Sequence, residues 1–126
     1  MTGQRILVTD DSGAIRVQVA RILTDAGFDV ETARDGAEAV SMVQNDVPML
    51  MVLDVNMPAL DGFGVCLELR RMGPPWCDVP IVFLTSSNTQ ALSILGNEMG
   101  AYLKKPVCED ELLQTVRSFL PCATGA

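Results

Sequence analysis

The chain has 126 residues, 48% hydrophobic and 20% charged, which fits one globular domain with a real core and excludes both a disordered tail and two ordinary domains. Nine basic residues against sixteen acidic ones leave a formal charge of −7, and this argues against non-specific nucleic-acid binding, which needs a basic footprint. No apolar stretch approaches the ~20 residues of a membrane span, and Met1-Thr2-Gly3-Gln4-Arg5 is not followed by a signal-peptide core, so a soluble, cytoplasmic protein is expected.

In chain order, Ile6-Leu7-Val8 is a short continuous apolar run and predicts a buried strand, and Asp10 and Asp11 follow it closely. Ile15, Val19, Ile22 and Leu23 then recur at i, i+4, i+7 and i+8 and predict a helix that Gly27 ends. Phe28-Asp29-Val30-Glu31-Thr32 alternates and suits a strand nearer a sheet edge. Residues 36–46 form a second predicted helix, with Ala37, Val40 and Val43 on one face. Met49-Leu50-Met51-Val52-Leu53 is the next buried strand, and Asp54 follows it. A helix over 62–72 is stopped by Gly73-Pro74-Pro75. Trp76 lies beyond it in a loop, where covering a core edge is its expected role. Ile81-Val82-Phe83-Leu84 is a further buried strand and leads into Thr85 and Ser86. A fourth helix over 89–99 carries Leu92, Leu95 and Met99, and Ala101-Tyr102-Leu103-Lys104 is the fifth strand, ahead of Lys105. The last helix, 109–120, presents Leu112, Leu113, Val116, Phe119 and Leu120, and Pro121 closes it.

Strict alternation of strand and helix with short connections predicts an α/β fold, a doubly wound parallel sheet with helices on both faces. Residues 1–126 are expected to form a single domain, since no repeat, low-complexity segment or linker interrupts the pattern. The four cysteines, Cys66, Cys77, Cys108 and Cys122, are scattered, with no C-x-x-C and no histidine in the chain. Zinc ligation is therefore not expected, and the thiols are expected to be reduced. For Cys108, packing in the core or at the start of the last helix is expected.

Functional groups of open α/β sheets gather at the carboxyl ends of the strands. Here those ends offer Asp10 and Asp11, Asp54, Thr85 with Ser86, and Lys105. Like carboxylates brought together repel unless something positive joins them. An all-oxygen set without histidine or thiol suits a hard divalent cation, Mg²⁺ above all. Three carboxylates are balanced in charge by one Mg²⁺ and Lys105, and a doubly charged phosphoryl group enters such a site more readily than a bare acidic cluster.

In order and spacing, the Asp10-Asp11 pair, Asp54 followed by Met57-Pro58 and Asp61-Gly62, Thr85-Ser86, Gly100-Ala101, Tyr102 and Lys105-Pro106 resemble the receiver domain of two-component response regulators over essentially the whole chain. Asn56, two residues after Asp54, is similar to the single-domain chemotaxis regulator in particular. The resemblance implies a flavodoxin-like five-stranded sheet in the order 2-1-3-4-5. It implies that Asp54 takes a phosphoryl group from a histidine kinase or phosphotransfer protein and becomes an aspartyl phosphate. It further implies Mg²⁺ ligated by Asp11, Asp54 and the backbone carbonyl of Asn56, with Asp10 acting largely through water. Lys105 would pair with one phosphoryl oxygen and Thr85 would donate its hydroxyl to another. Tyr102 would turn into the space that Thr85 vacates, changing the face made by the fourth helix, fifth strand and fifth helix for a partner. A cis Lys105-Pro106 peptide is expected on the same ground. Family members commonly place two further residues between the Gly-Ala pair and the aromatic, so a shorter turn before the fifth strand, or an earlier end to the fourth helix, is expected here.

A Mg²⁺-dependent phosphohydrolase working through an aspartyl phosphate is the rival of a different class. Such enzymes commonly carry a second acid two residues after the nucleophile, where this chain has Asn56, and need room for a cap over the substrate. A nucleotide-binding module is disfavoured, because the first strand–helix turn has neither G-x-x-x-x-G-K-[ST] nor G-x-G-x-x-G. The expectation is thus a signalling protein that assists only its own phosphorylation and dephosphorylation, as a monomer or weak dimer. It is either a stand-alone regulator or a receiver from a hybrid kinase or larger regulator.

Overall fold

The computed structural model describes residues 5–55, 62–85, 100–104 and 106–119. Five parallel strands, β1 (Arg5–Thr9), β2 (Asp29–Ala33), β3 (Leu50–Asp54), β4 (Ile81–Thr85) and β5 (Gly100–Lys104), lie in the order β2-β1-β3-β4-β5. Helices α1 (Gly13–Asp25), α2 (Gly36–Asn45), α3 (Gly62–Met72) and a C-terminal helix (Glu109–Phe119) alternate with them, and a 3₁₀ turn spans Trp76–Asp78. The predicted helix 89–99 lies outside the described residues.

Alternation along the strands sends successive side chains to opposite faces and so builds two apolar layers. Ile6 and Val8, Leu50 and Val52, and Val82 and Leu84 face Val19 and Leu23 of α1 and Leu112 and Val116 of the C-terminal helix. Leu7, Met51, Leu53, Ile81 and Phe83 face Ala39 and Val43 of α2 and Val65, Cys66 and Leu69 of α3. Because β1, β3 and β4 are covered on both sides, they read as continuous apolar runs. β2, outermost beside β1, leaves three of its five residues exposed, which is why its sequence mixes polar with apolar residues.

Helix ends follow local chemistry. Ser12 caps α1, its Oγ accepting from Ile15 N at 3.4 Å, and Gly27 leaves the helix at φ +100°, a conformation that glycine adopts without strain. Asp35 caps α2 by accepting from Glu38 N at 2.9 Å, while Glu38 accepts from Arg34 N at 2.7 Å, close to a capping box. The inward face of α2 differs from the expectation: Gly36, Ala39 and Val43 are buried and Ala37 is exposed. Val43 is common to both stripes and Val40 packs partly against the core, so the buried stripe is turned by about one residue from the expected one, and alanines give little contrast by which to see it.

The amino ends of the strands are closed by ordinary packing. Arg5 bonds Glu31 and both the carbonyl and the carboxylate of Asp46, drawing β1, β2 and the end of α2 together. Trp76 is half-buried against the α2–α3 layer and donates from Nε1 to the Val43 carbonyl at 3.2 Å, so it covers a core edge as expected. Val43 lies in the last turn of α2, whose carbonyls have no partner within the helix.

Candidate functional site

Parallel register decides what meets at the other ends. Thr9 pairs with Leu53, so the residues that follow, Asp10 and Asp54, come side by side. Asp54 pairs with Leu84, and Val55 N donates to the Leu84 carbonyl at 2.9 Å, placing Thr85 at the next strand end over. Asp10 and Thr85 are fully buried and Asp54 is 2% exposed, whereas Asp11 is exposed. One carboxylate oxygen from each of Asp10, Asp11 and Asp54 lies within 4.8 Å of the others.

The turn that carries the two aspartates is tied on several sides. Asp10 N donates to the Ala33 carbonyl at 3.4 Å, and Asp10 Oδ1 accepts from Ser12 N at 2.9 Å. Arg16 Nη1 donates to the Asp10 carbonyl at 2.7 Å. The positive end of the α1 dipole also lies beside the cluster and favours negative charge there.

These donors fit a hard divalent cation. The three clustered oxygens are carboxylates, the chain has no histidine, and Cys66 and Cys77 lie at the opposite ends of the strands. Mg²⁺ keeps several waters and takes one or two carboxylates plus phosphate oxygens, which an exposed Asp11 beside a buried Asp54 permits.

Of the sequence-predicted site residues, Asp10, Asp11, Asp54 and Thr85 come together at adjacent strand ends. Asn56, Ser86 and Lys105 lie outside the described residues, and so does the Lys105-Pro106 peptide bond. Tyr102 is placed only as the middle of β5, paired with Phe83. Gly100 and Ala101 belong to that strand itself. Cys108 is exposed; it is not core packing but the residue before the C-terminal helix, its carbonyl accepting from Leu112 N at 2.9 Å.

Sequence reasoning missed Arg16. The available signal was a cation in the first turn of a helix that has no acidic residue there, against the dipole preference. A second feature, also missed, is a cavity of about 130 Å³ at the amino end of β4, lined by Cys66, Leu69, Arg70, Trp76, Cys77 and Val79 among others. Burial pushes the Cys66 thiol pKa up, with Arg70 opposing. Desolvation and then the neighbouring Asp78 push that of Cys77 up, and its Sγ donates to Asp78 Oδ1 at 3.6 Å.

Known proteins are similar to this chain in sequence and fold. Response regulator MprA of Mycobacterium avium is 44% identical over 118 residues, covering 92% of this chain and 50% of its own. The chain thus spans about half the length of the curated relatives it matches. The chemotaxis response regulator CheY4 of Vibrio cholerae superposes with a TM-score of 0.83 at 36% identity, over 94% of this chain and 99% of that one. The receiver domain of NtrX from Brucella abortus gives 0.81 at 29% identity, over 92% and 98%. Residues 6–117 match the family described as the response regulator receiver domain, and the chain belongs to that family, the phosphoacceptor module of two-component signalling.

Proposed function

We propose that Asp54 is the phosphoacceptor and that residues 1–126 act as one receiver domain, taking a phosphoryl group from the phosphohistidine of a kinase or phosphotransfer protein. The carrying observation is the meeting of carboxylates from Asp10, Asp11 and Asp54 at the carboxyl edge of the sheet, beside buried Thr85. A carboxylate oxygen of Asp54 attacks phosphorus, the new O–P bond forms as the P–N bond breaks, and the electron pair returns to the donor imidazole. Asp54 is held for this at the end of a strand packed on both faces, so its reach is set by the sheet. When bound by Asp11, Asp54 and the Asn56 carbonyl, Mg²⁺ supplies charge neutralisation for the transferring phosphoryl group. Thr85 donates its hydroxyl to one phosphoryl oxygen and Lys105 pairs with another. A donor protein has to reach this edge, and a groove of about 420 Å³, lined by Ala14, Val17, Arg21, Ile22 and Val107 among others, opens beside it.

Tyr102 and the face expected of the predicted helix 89–99, the fifth strand and the last helix carry the output to a partner. The chain works in the cytoplasm and catalyses only its own phosphorylation and dephosphorylation; no helix among the described residues is long and apolar enough to cross a membrane. A second reading, a receiver module of a longer regulator, is favoured by the half-length match to MprA.

Intact mass after incubation with acetyl phosphate tests the chemistry. A single phosphoryl gain that requires Mg²⁺ and disappears in Asp54→Asn is expected. Absence of any gain in folded, Mg²⁺-binding protein overturns the reading, and steady phosphate release over many turnovers revives the hydrolase.

A further inference from the structure

We propose that Arg16 is a positioning residue for the metal: by holding the Asp10 carbonyl it fixes the peptide that aims Asp10 and Asp11 at Asp54. This rests on the metal site of the proposed function and extends it to a residue of α1 outside the acidic cluster.

A cation in the first turn of a helix faces the positive end of the dipole and is disfavoured there unless something negative holds it. Arg16 is half-buried in that position, and its Nη1 stands 2.7 Å from the Asp10 carbonyl oxygen. Its Nη2 lies 3.6 Å from where a Cβ on Gly13 would stand, so the guanidinium lies along the turn at ordinary contact distance. Among the described residues Arg16 makes no ion pair with a carboxylate. It therefore brings positive charge to the cluster while leaving the carboxylates to the cation.

The carbonyl it holds belongs to the peptide joining Asp10 to Asp11. The other ties reach Asp10 through its own N–H and its Oδ1. The arginine bonds that peptide plane directly and so restrains its rotation. Asp10 is buried and tied through its own N–H and Oδ1, whereas Asp11 is exposed, so its aim depends more on how its backbone is held. Loss of Arg16 should therefore show as weaker metal binding through Asp11, with the fold intact. Partners that orient metal ligands typically contribute 10–100-fold to affinity.

The experiment uses Mn²⁺ as the probe, with free Mn²⁺ read by electron paramagnetic resonance, on the full chain and on R16A, R16K and D11N. R16A is expected to bind Mn²⁺ roughly ten-fold more weakly than wild type. R16K, which keeps a charged donor able to reach the carbonyl, should stay within about three-fold. Melting in EDTA should be alike for all three Arg16 forms. The half-saturating Mg²⁺ for phosphorylation by acetyl phosphate should rise in R16A by the same factor as the Mn²⁺ Kd. Equal Mn²⁺ affinity in R16A and wild type overturns the proposal, and so does an affinity loss that R16K fails to rescue and that a lower melting point accompanies. Wild-type binding that is absent, or that survives D11N, overturns the metal site itself and the proposal with it.

Discussion

The two ends of the sheet are built from the same strands, five residues apart, and they treat charge in opposite ways. At the amino ends a cation meets acids: Arg5 bonds Glu31 and Asp46, and Trp76 spends its one N–H on an orphan carbonyl of α2. At the carboxyl ends three carboxylates gather, two of them buried, and a nearby arginine bonds backbone instead of a carboxylate. The first arrangement is what a fold does to stabilise itself. The second costs folding free energy unless a cation completes it, which is the pattern expected where a site has been placed on a scaffold. Stability and chemistry should therefore separate by end.

The sharpest test of that separation is Asp11→Asn. Removing one of the proposed metal ligands is expected to lower Mg²⁺-dependent phosphorylation by at least ~10-fold. It also removes one of three clustered like charges, so the metal-free protein should gain on the order of 0.5–1.5 kcal/mol, a modest figure because Asp11 is exposed. Phosphorylation kinetics and urea unfolding in EDTA check both parts. A variant that loses stability as well as activity would break the contrast between the ends.

The next largest effect belongs to the other end. Trp76→Ala empties a half-buried ring from the α2–α3 layer and orphans the Val43 carbonyl, and should cost roughly 2–4 kcal/mol in urea unfolding. Trp76→Phe keeps most of the ring and should cost about 1 kcal/mol. Both should be phosphorylated at the wild-type rate. Arg5→Met is smaller again, about 1 kcal/mol, since its carboxylate partners are largely exposed, and the cost should shrink further in high salt.

How far each end was legible in the sequence follows from who the partners are. Strands came through because three double-sided apolar runs leave a clear mark, and α3 was read at its observed bounds because Gly62 and the Gly73-Pro74-Pro75 breaker frame it. Asp10, Asp11, Asp54 and Thr85 were legible because parallel register turns the last polar residue of neighbouring strands into neighbours. Arg16 was not, because its partner is a backbone carbonyl, and a carbonyl carries no residue identity for a pattern to match. The same reason hid the Trp76–Val43 bond. The buried face of α2 was misread where alanines stand on both candidate stripes.

The smallest expected effect probes the packed end without changing a residue. Cys66 is buried in the α2–α3 layer and Cys77 half-buried at the same cavity, both with thiol pKa values raised, whereas Cys108 is exposed ahead of the C-terminal helix. The thiolate is the reacting form. With a maleimide at neutral pH, followed by peptide mass mapping, the three cysteines among the described residues should label in the order Cys108, then Cys77 more slowly, and Cys66 last. Raising the pH should speed Cys77 as its thiolate forms. Cys66 should follow only when the fold opens, because its barrier is access as well as charge. Its raised pKa means that the folded state holds the proton more tightly than the unfolded chain does. That contribution is full below the ordinary thiol pKa and falls as pH climbs toward the raised value. Stability should therefore decline in mildly alkaline solution, and less so in Cys66→Ala measured against its own neutral-pH value. Phosphorylation of Asp54 at the far end should leave the labelling order as it was. If it reorders Cys66 and Cys77, the two ends are coupled through the sheet, and the division of stability from chemistry fails at its most sensitive point.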